Sequence, residues 1–270
     1  MRAIPETMDA RVVGALEGAL ADLARAEGVK VLLAVESGSR AWGFPSPDSD
    51  YDLRFVYVRT VADYLTPWPA RDVLGLPVDA VQDIAGWDLV KAVRLLANGN
   101  AVLGEWARSP IVYGGDLVFR TTLTELAADV ADPAAIVRHY AHVAMKNWPA
   151  DAAAGLPVPL KKLFYALRPA AAVRWLLVHP GSSIPPMTLR ELLAECDPPA
   201  ALLQPVEDLL AAKAAGREMG EGIAPLPVRE FVSAQLAAAA TCQERRPAAP
   251  DYARLSDFFR SWVPETIGKD

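Results

Sequence analysis

Two aspartates, Asp50 and Asp52, stand two residues apart in the run SPDSDYDL, and ten residues separate Asp50 from the Ser39 of a Gly38-Ser39 pair. Side chains two residues apart on a strand share a face, so Asp50 and Asp52 present two carboxylates side by side and Tyr51 turns the other way. Adjacent carboxylates repel unless a cation lies between them. A hard dication such as Mg²⁺ takes oxygen ligands, commonly one or two carboxylates plus the phosphate oxygens of a substrate, and Mn²⁺ accepts the same donors. Gly38 allows the backbone to come close to an anion, and the amides of Ser39 and Arg40 at the mouth of a short helix or turn can bond a terminal phosphate. The spacing excludes two other cation or phosphate sites. Asp48, Asp50 and Asp52 open like an EF-hand loop, but Leu53 stands where that loop needs Gly and Arg59 where it needs Glu. No G-x-x-x-x-G-K-[ST] phosphate loop occurs. The competing structural reading is an Asp- and Ser-rich turn capping a helix; a Gly-Ser pair at the end of a buried strand favours the metal-and-phosphate reading.

The elements that must hold these groups are legible around them. Residues 7–27 carry Val12, Val13, Leu16, Leu20 and Leu23 at helical spacing and stop at Gly28. The apolar run from Val29 to Val35 reads as a strand buried on both faces, and YDLRFVYVR as the next strand. Segments near 71–74 and 78–84 are expected to add strands, and 86–97 a helix. From Leu117 onward the pattern is helical, over 117–130, 133–146, 158–178 (bent or broken by Pro169), 187–195, 200–217, 228–243 and 252–262. The pattern is therefore an α/β (α+β) chain, an N-terminal half of strands and helices followed by an all-helical half.

Composition narrows the class. At 270 residues with 52% hydrophobic and 22% charged residues, the chain is globular rather than disordered. Its 27 basic and 33 acidic residues give a net charge of -6, which disfavours non-specific nucleic-acid binding. Residues 134–180 run against that balance, with six basic side chains to one acidic, a local excess that suits a polyanion. Lys161, Tyr165 and Arg168 fall at i, i+4 and i+7 there, one helix face suited to a triphosphate or an RNA backbone, with Tyr165 able to stack on a base. Cys196 and Cys242 form neither a disulfide framework nor a thiolate metal site. With no apolar run long enough to span a bilayer and no basic-then-apolar leader, a cytoplasmic location and no membrane partner are expected.

The run GSRAWGFPSPDSDYDLRFVYVR resembles the active-site signature of the DNA polymerase β-type nucleotidyltransferase superfamily. Within it the chain is similar to a bacterial family of predicted nucleotidyltransferases associated with RNA ligase and RNA repair. DIAGWDLVKAVRLLANGNAVLGEWARSPIVY, KKLFYALRPAAAVRW and PPMTLRELL resemble its recurring blocks, with Ala101 standing where that family usually has proline. The resemblance implies a polymerase-β-like catalytic domain at 1–115 with a mixed sheet backed by helices, a helical domain at 116–270 that closes the nucleotide cleft, and a third carboxylate on a later strand, with Asp83 favoured and Asp79 its rival. It also implies two metals, one held by Asp50 and Asp52 and one shared with Asp83, and attack of a hydroxyl on the α-phosphorus of a nucleoside triphosphate. Gly38, Ser39, Arg40, Lys161, Tyr165 and Arg168 are then the nucleotide-binding candidates, RNA the candidate acceptor and an RNA ligase a candidate partner. Trp42 reads most simply as a core anchor, like the other tryptophans, with a wall of the nucleotide pocket as the alternative its place in the loop offers, and Glu105 either pairs with Arg108 or holds a loop near the site. The alternative is a non-catalytic RNA-binding or antitoxin-like module that keeps the fold. A weaker one is a sugar-nucleotide enzyme using the Asp-x-Asp pair.

Overall fold

The computed structural model describes residues 1–78, 81–216, 220–242 and 249–267. Helix α1 (Ala10–Glu27) starts on an Asp9 cap and ends at Gly28, whose φ of 61° is the left-handed conformation that closes a helix. Strand β1 (Lys30–Glu36), the single turn α2 (Gly38–Ala41) and strand β2 (Tyr51–Val58) follow. After α3 (Val61–Tyr64) and the short β3 (Val73–Gly75), strand β4 (Gln82–Asp88) runs straight into α4 (Leu89–Ala97). Helix α5 (Val102–Arg108) then leads to β5 (Val112–Gly115).

These strands form one mixed sheet in the order β3-β4-β2-β1-β5, in which β2 and β4 are parallel and the other pairs antiparallel. Period-two alternation splits the strand residues between two cores. Leu53, Phe55 and Tyr57 pack with Val13, Leu16 and Leu20 of α1 on one face. Val56 and Val58 join Leu33 and Val35 in the larger core on the other face.

That second core runs without a break into the helices of the C-terminal half: α6 (Leu117–Val130), α7 (Pro133–Lys146), α9 (Leu160–Val178), α10 (Leu189–Glu195), α11 (Ala200–Ala215), α12 (Leu226–Cys242) and α13 (Tyr252–Trp262). A short α8 (Ala150–Ala154) and a two-stranded ribbon of β6 (Pro157–Pro159) and β7 (Glu221–Ile223) complete the described structure. The expected helix ends at 217 and 243 lie outside the described residues.

One expected boundary is corrected. Residues 86–88 belong to β4, not to the helix. A Cβ on Gly86 would lie 2.4 Å from the Phe55 ring, so this glycine lets β4 seat against β2, and Asp88 caps α4 by accepting from the Val90 N–H.

Candidate active site

Because Asp52 and Arg54 share the β2 face of Val56 and Val58, they point toward the helical half. The parallel register sets Asp52 directly opposite Asp83, so two carboxylates from different strands meet at the amino-terminal end of the sheet. Asp50, one residue before β2, is exposed, and its carboxylate makes no hydrogen bond or ion pair among the described residues. Burial pushes the Asp52 carboxyl above its ordinary value; the Arg54 cation opposes this, and the charges of Asp83 and Asp50 add to it.

Gly38 is required where it stands. Its φ is 61°, and a Cβ there would lie 2.0 Å from Asp52 Oδ2. The glycine turn thus rests against the carboxylate. The Ser39 hydroxyl is buried and donates to Ser49 Oγ at 3.0 Å, which ties the two ends of the loop together. The Arg40 guanidinium holds the same loop: it donates from Nη2 to the Ser49 carbonyl (2.7 Å) and from Nε to the Asp50 carbonyl (3.1 Å) and lies 3.9 Å above the Tyr51 ring. Arg40 therefore fixes the Asp50 backbone, and its Nη1 takes no part in these bonds.

Two contributors escape sequence inspection. Arg54 Nη2 donates to Asp83 Oδ2 at 2.6 Å and to Asp52 Oδ1 at 3.1 Å, and its Nη1 donates to the Asp83 carbonyl at 2.8 Å. Glu36, fully buried at the end of β1, accepts the Asp52 N–H at 2.8 Å and the Tyr113 hydroxyl, and so fixes the backbone beneath the pair. Burial raises the Glu36 carboxyl to about 7 against these two donors. Arg54 reads in the sequence as an ordinary polar position of an alternating strand, and Glu36 as the end of an apolar one.

The helical half delivers one expected residue and withholds another. Tyr165 is half-buried, packs edge-on against Trp42 at 5.7 Å between ring centres, and has its hydroxyl pKa raised by burial and by the charges of Asp52 and Asp50. Trp42 and Tyr165 thus form a wall beside the carboxylates. Lys161 is exposed one turn earlier on α9. Arg168 is a correction: only 1% exposed, it donates to Glu105 Oε1 at 2.6 Å and to the Met187 carbonyl at 2.9 Å, beneath Trp42. The three residues do share a face, but α9 dives into the core, so the face passes from solvent at Lys161 to the interior at Arg168. Glu105 accordingly pairs with Arg168, while Arg108 donates to the Ile184 carbonyl. Asp79 lies outside the described residues.

The carboxylates are oxygen donors of the kind hard dications take. Among the described residues no three Asp, Glu, His or Cys side chains converge closely enough to hold a metal ion. The donor set fits a cation on the Asp50/Asp52 pair, completed by oxygens of a substrate, better than a closed protein cage.

The sequence profile of the RNA repair pathway DNA polymerase beta family matches residues 13–261. The chain belongs to this family. Among similar proteins, the uncharacterized protein YcgL of Bacillus subtilis (strain 168) is 42% identical over 192 residues, which make up 71% of this chain and 73% of YcgL. A crystal structure of a nucleotidyltransferase-like protein from Exiguobacterium sibiricum 255-15 aligns over 86% of this chain and 74% of its own, with 11% identity and a TM-score of 0.30. Membership makes the fold polymerase-β-like and nucleotidyltransferase chemistry the reading to test. Among the described residues no helix is long and apolar enough to cross a membrane.

Proposed function

We propose that this family member is a divalent-metal-dependent nucleotidyltransferase that moves a nucleoside monophosphate from a nucleoside triphosphate to a hydroxyl acceptor, with an RNA end as the favoured acceptor. The observation that carries this is the placement of Asp52 opposite Asp83 on adjacent parallel strands, with an unpaired Asp50 at the mouth. Asp50 and Asp52 hold the ion, Mg²⁺ or Mn²⁺, which supplies charge neutralisation on the triphosphate oxygens. The turn at Gly38 and Ser39 brings backbone close to the same oxygens, and Arg40 keeps Asp50 in place from behind. In this reading Asp83 takes the proton of the attacking hydroxyl, which leaves as that oxygen joins the α-phosphorus and pyrophosphate departs. Tyr165 and Trp42 offer aromatic surface to a base. Lys161 and the basic excess of residues 134–180 favour a polyanionic substrate on the same side. A domain division near 115, with the helical half closing the cleft, and an RNA ligase as partner belong to the same proposal.

Incubation with each nucleoside triphosphate, Mg²⁺ and RNAs of defined ends, followed by mass measurement of the RNA, tests it. The expected product carries one added nucleotide, and Asp50→Asn and Asp52→Asn abolish the gain while keeping the parent circular dichroism. Variants as active as the parent would overturn the assignment. RNA binding with no triphosphate heat in calorimetry would instead favour the non-catalytic module.

A further inference from the structure

The Arg54 guanidinium bridges Asp52 and Asp83, the carboxylate pair from which a two-ion scheme would hold the shared ion. A single nitrogen, Nη2, takes one oxygen from each carboxylate, Asp52 Oδ1 and Asp83 Oδ2. The group is anchored as well as paired: Nη1 donates to the carbonyls of Asp83 and Leu53, and the side chain is 19% exposed. A mobile surface arginine would not be held at four points. Its place is also set by the chain, since residue 54 follows Asp52 on the same strand face.

We propose that Arg54 is a resident cation that replaces one of the two divalent ions, so that the site takes a single ion, on Asp50 and Asp52. The inference rests on the metal-binding reading of those two aspartates. Three lines support it. Guanidinium does not lose its proton in proteins, so its charge is permanent, and its fork matches carboxylate oxygens. Asp52 and Asp83 with the Arg54 guanidinium between them carry one net negative charge instead of two, which weakens the pull on a second dication. Finally, Asp50 is exposed and unpaired, Arg54 sits closer to Asp83 (2.6 Å) than to Asp52 (3.1 Å), and no three acidic side chains among the described residues converge on one point. Arg54 then holds the Asp83 carboxylate from one side and leaves its other oxygen for the acceptor.

Counting bound Mn²⁺ by the electron paramagnetic resonance signal of the free ion, on the full chain with a non-hydrolysable triphosphate, tests this. The parent is expected to bind one Mn²⁺, Arg54→Gln two, and the charge-keeping Arg54→Lys one. Thermal unfolding gives a second readout. Without Arg54 the facing carboxylates repel, so Mn²⁺ is expected to raise the melting temperature of Arg54→Gln more than that of the parent, which holds even if that variant is poorly folded when ion-free. Two ions on the parent, or an Arg54→Gln variant that stays at one or falls to none, would overturn the role of Arg54 alone. A parent that binds no Mn²⁺ would overturn the metal reading of Asp50 and Asp52 as well.

Discussion

Removing the charge of Arg168 separates a core ion pair from a phosphate ligand. Arg168 and Glu105 are 1% and 7% exposed and joined at 2.6 Å, and Arg168 lies under the Trp42 ring. In Arg168→Met the Glu105 carboxylate stays buried without its cation, a loss that costs about 3–5 kcal/mol. At roughly 2–4 °C per kcal/mol for a chain near this size, the melting temperature is expected to fall by about 6–20 °C. Replacing both partners, Glu105→Leu with Arg168→Met, leaves no buried charge behind and is expected to be near neutral, because such pairs recover little more than their desolvation cost. Differential scanning calorimetry of the parent, both single variants and the double variant yields the coupling between them. The double variant is expected to bind nucleoside triphosphate within a few-fold of the parent by titration calorimetry. An Arg168→Met protein as stable as the parent would refute the buried-pair argument. So would a stable double variant that has lost nucleotide binding, which would return Arg168 to the phosphate site.

Lys213 of α11 is 2% exposed, without a hydrogen-bond partner among the described residues, and lies 4.5 Å and 5.0 Å from the ring centres of Phe44 and Phe164. Burial, then the neighbouring Lys161, lowers its pKa to about 8 against the pull of Asp48. A lysine with a lowered folded-state pKa costs stability at neutral pH, and stability is recovered as pH rises from about 8 toward 10.5, by roughly 3 kcal/mol at most. Urea denaturation at pH 7 and pH 9.5 is therefore expected to show the parent gaining stability with pH and Lys213→Met more stable at pH 7 and flat; a parent that loses stability over that range would contradict it. Gly38→Ala forces a methyl group onto Asp52 Oδ2, so Mn²⁺ affinity is expected to drop at least tenfold at a stability cost of about 1–3 kcal/mol. Unchanged affinity by calorimetry would show that the turn does not rest on the carboxylate.

What could be read from the sequence was whatever depends on local period and spacing. The Gly38-Ser39 turn and the long helices of the second half follow such patterns and stand where they were expected, whereas Asp50 falls one residue short of β2, so the strand carries Asp52 without it. Asp83 could be named but not placed: its position opposite Asp52 is a fact of strand register, set by a parallel pairing across a connection of more than twenty residues. Arg168 shows the limit from the other side. Helical spacing says that Lys161, Tyr165 and Arg168 share a face, but not how deep each sits, and α9 is buried on all sides between Ala166 and Val173. Lys213 carries no local signal of its burial, because the Phe44 and Phe164 rings that cover it come from distant parts of the chain. Arg54 and Glu36 carry no spacing signal, because each acquires its role from a neighbouring strand.

The parallel seam between β2 and β4 also governs how the gene can drift. Its chemistry depends on Tyr51 meeting Gln82 and Asp52 meeting Asp83, not on the tip of the crossover between the strands, where Leu65 and Trp68 lie open to solvent. Codons inserted or lost between positions 65 and 69 are expected to be tolerated, whereas Arg71 and Asp72 are tied to Tyr57, Asp88 and Lys91. A single codon lost from β4 between Asp83 and Asp88 is different in kind: with the end of the strand held in place, it shifts the alternation one step and turns Asp83 to the opposite face, and so separates the two carboxylates while keeping both in the protein.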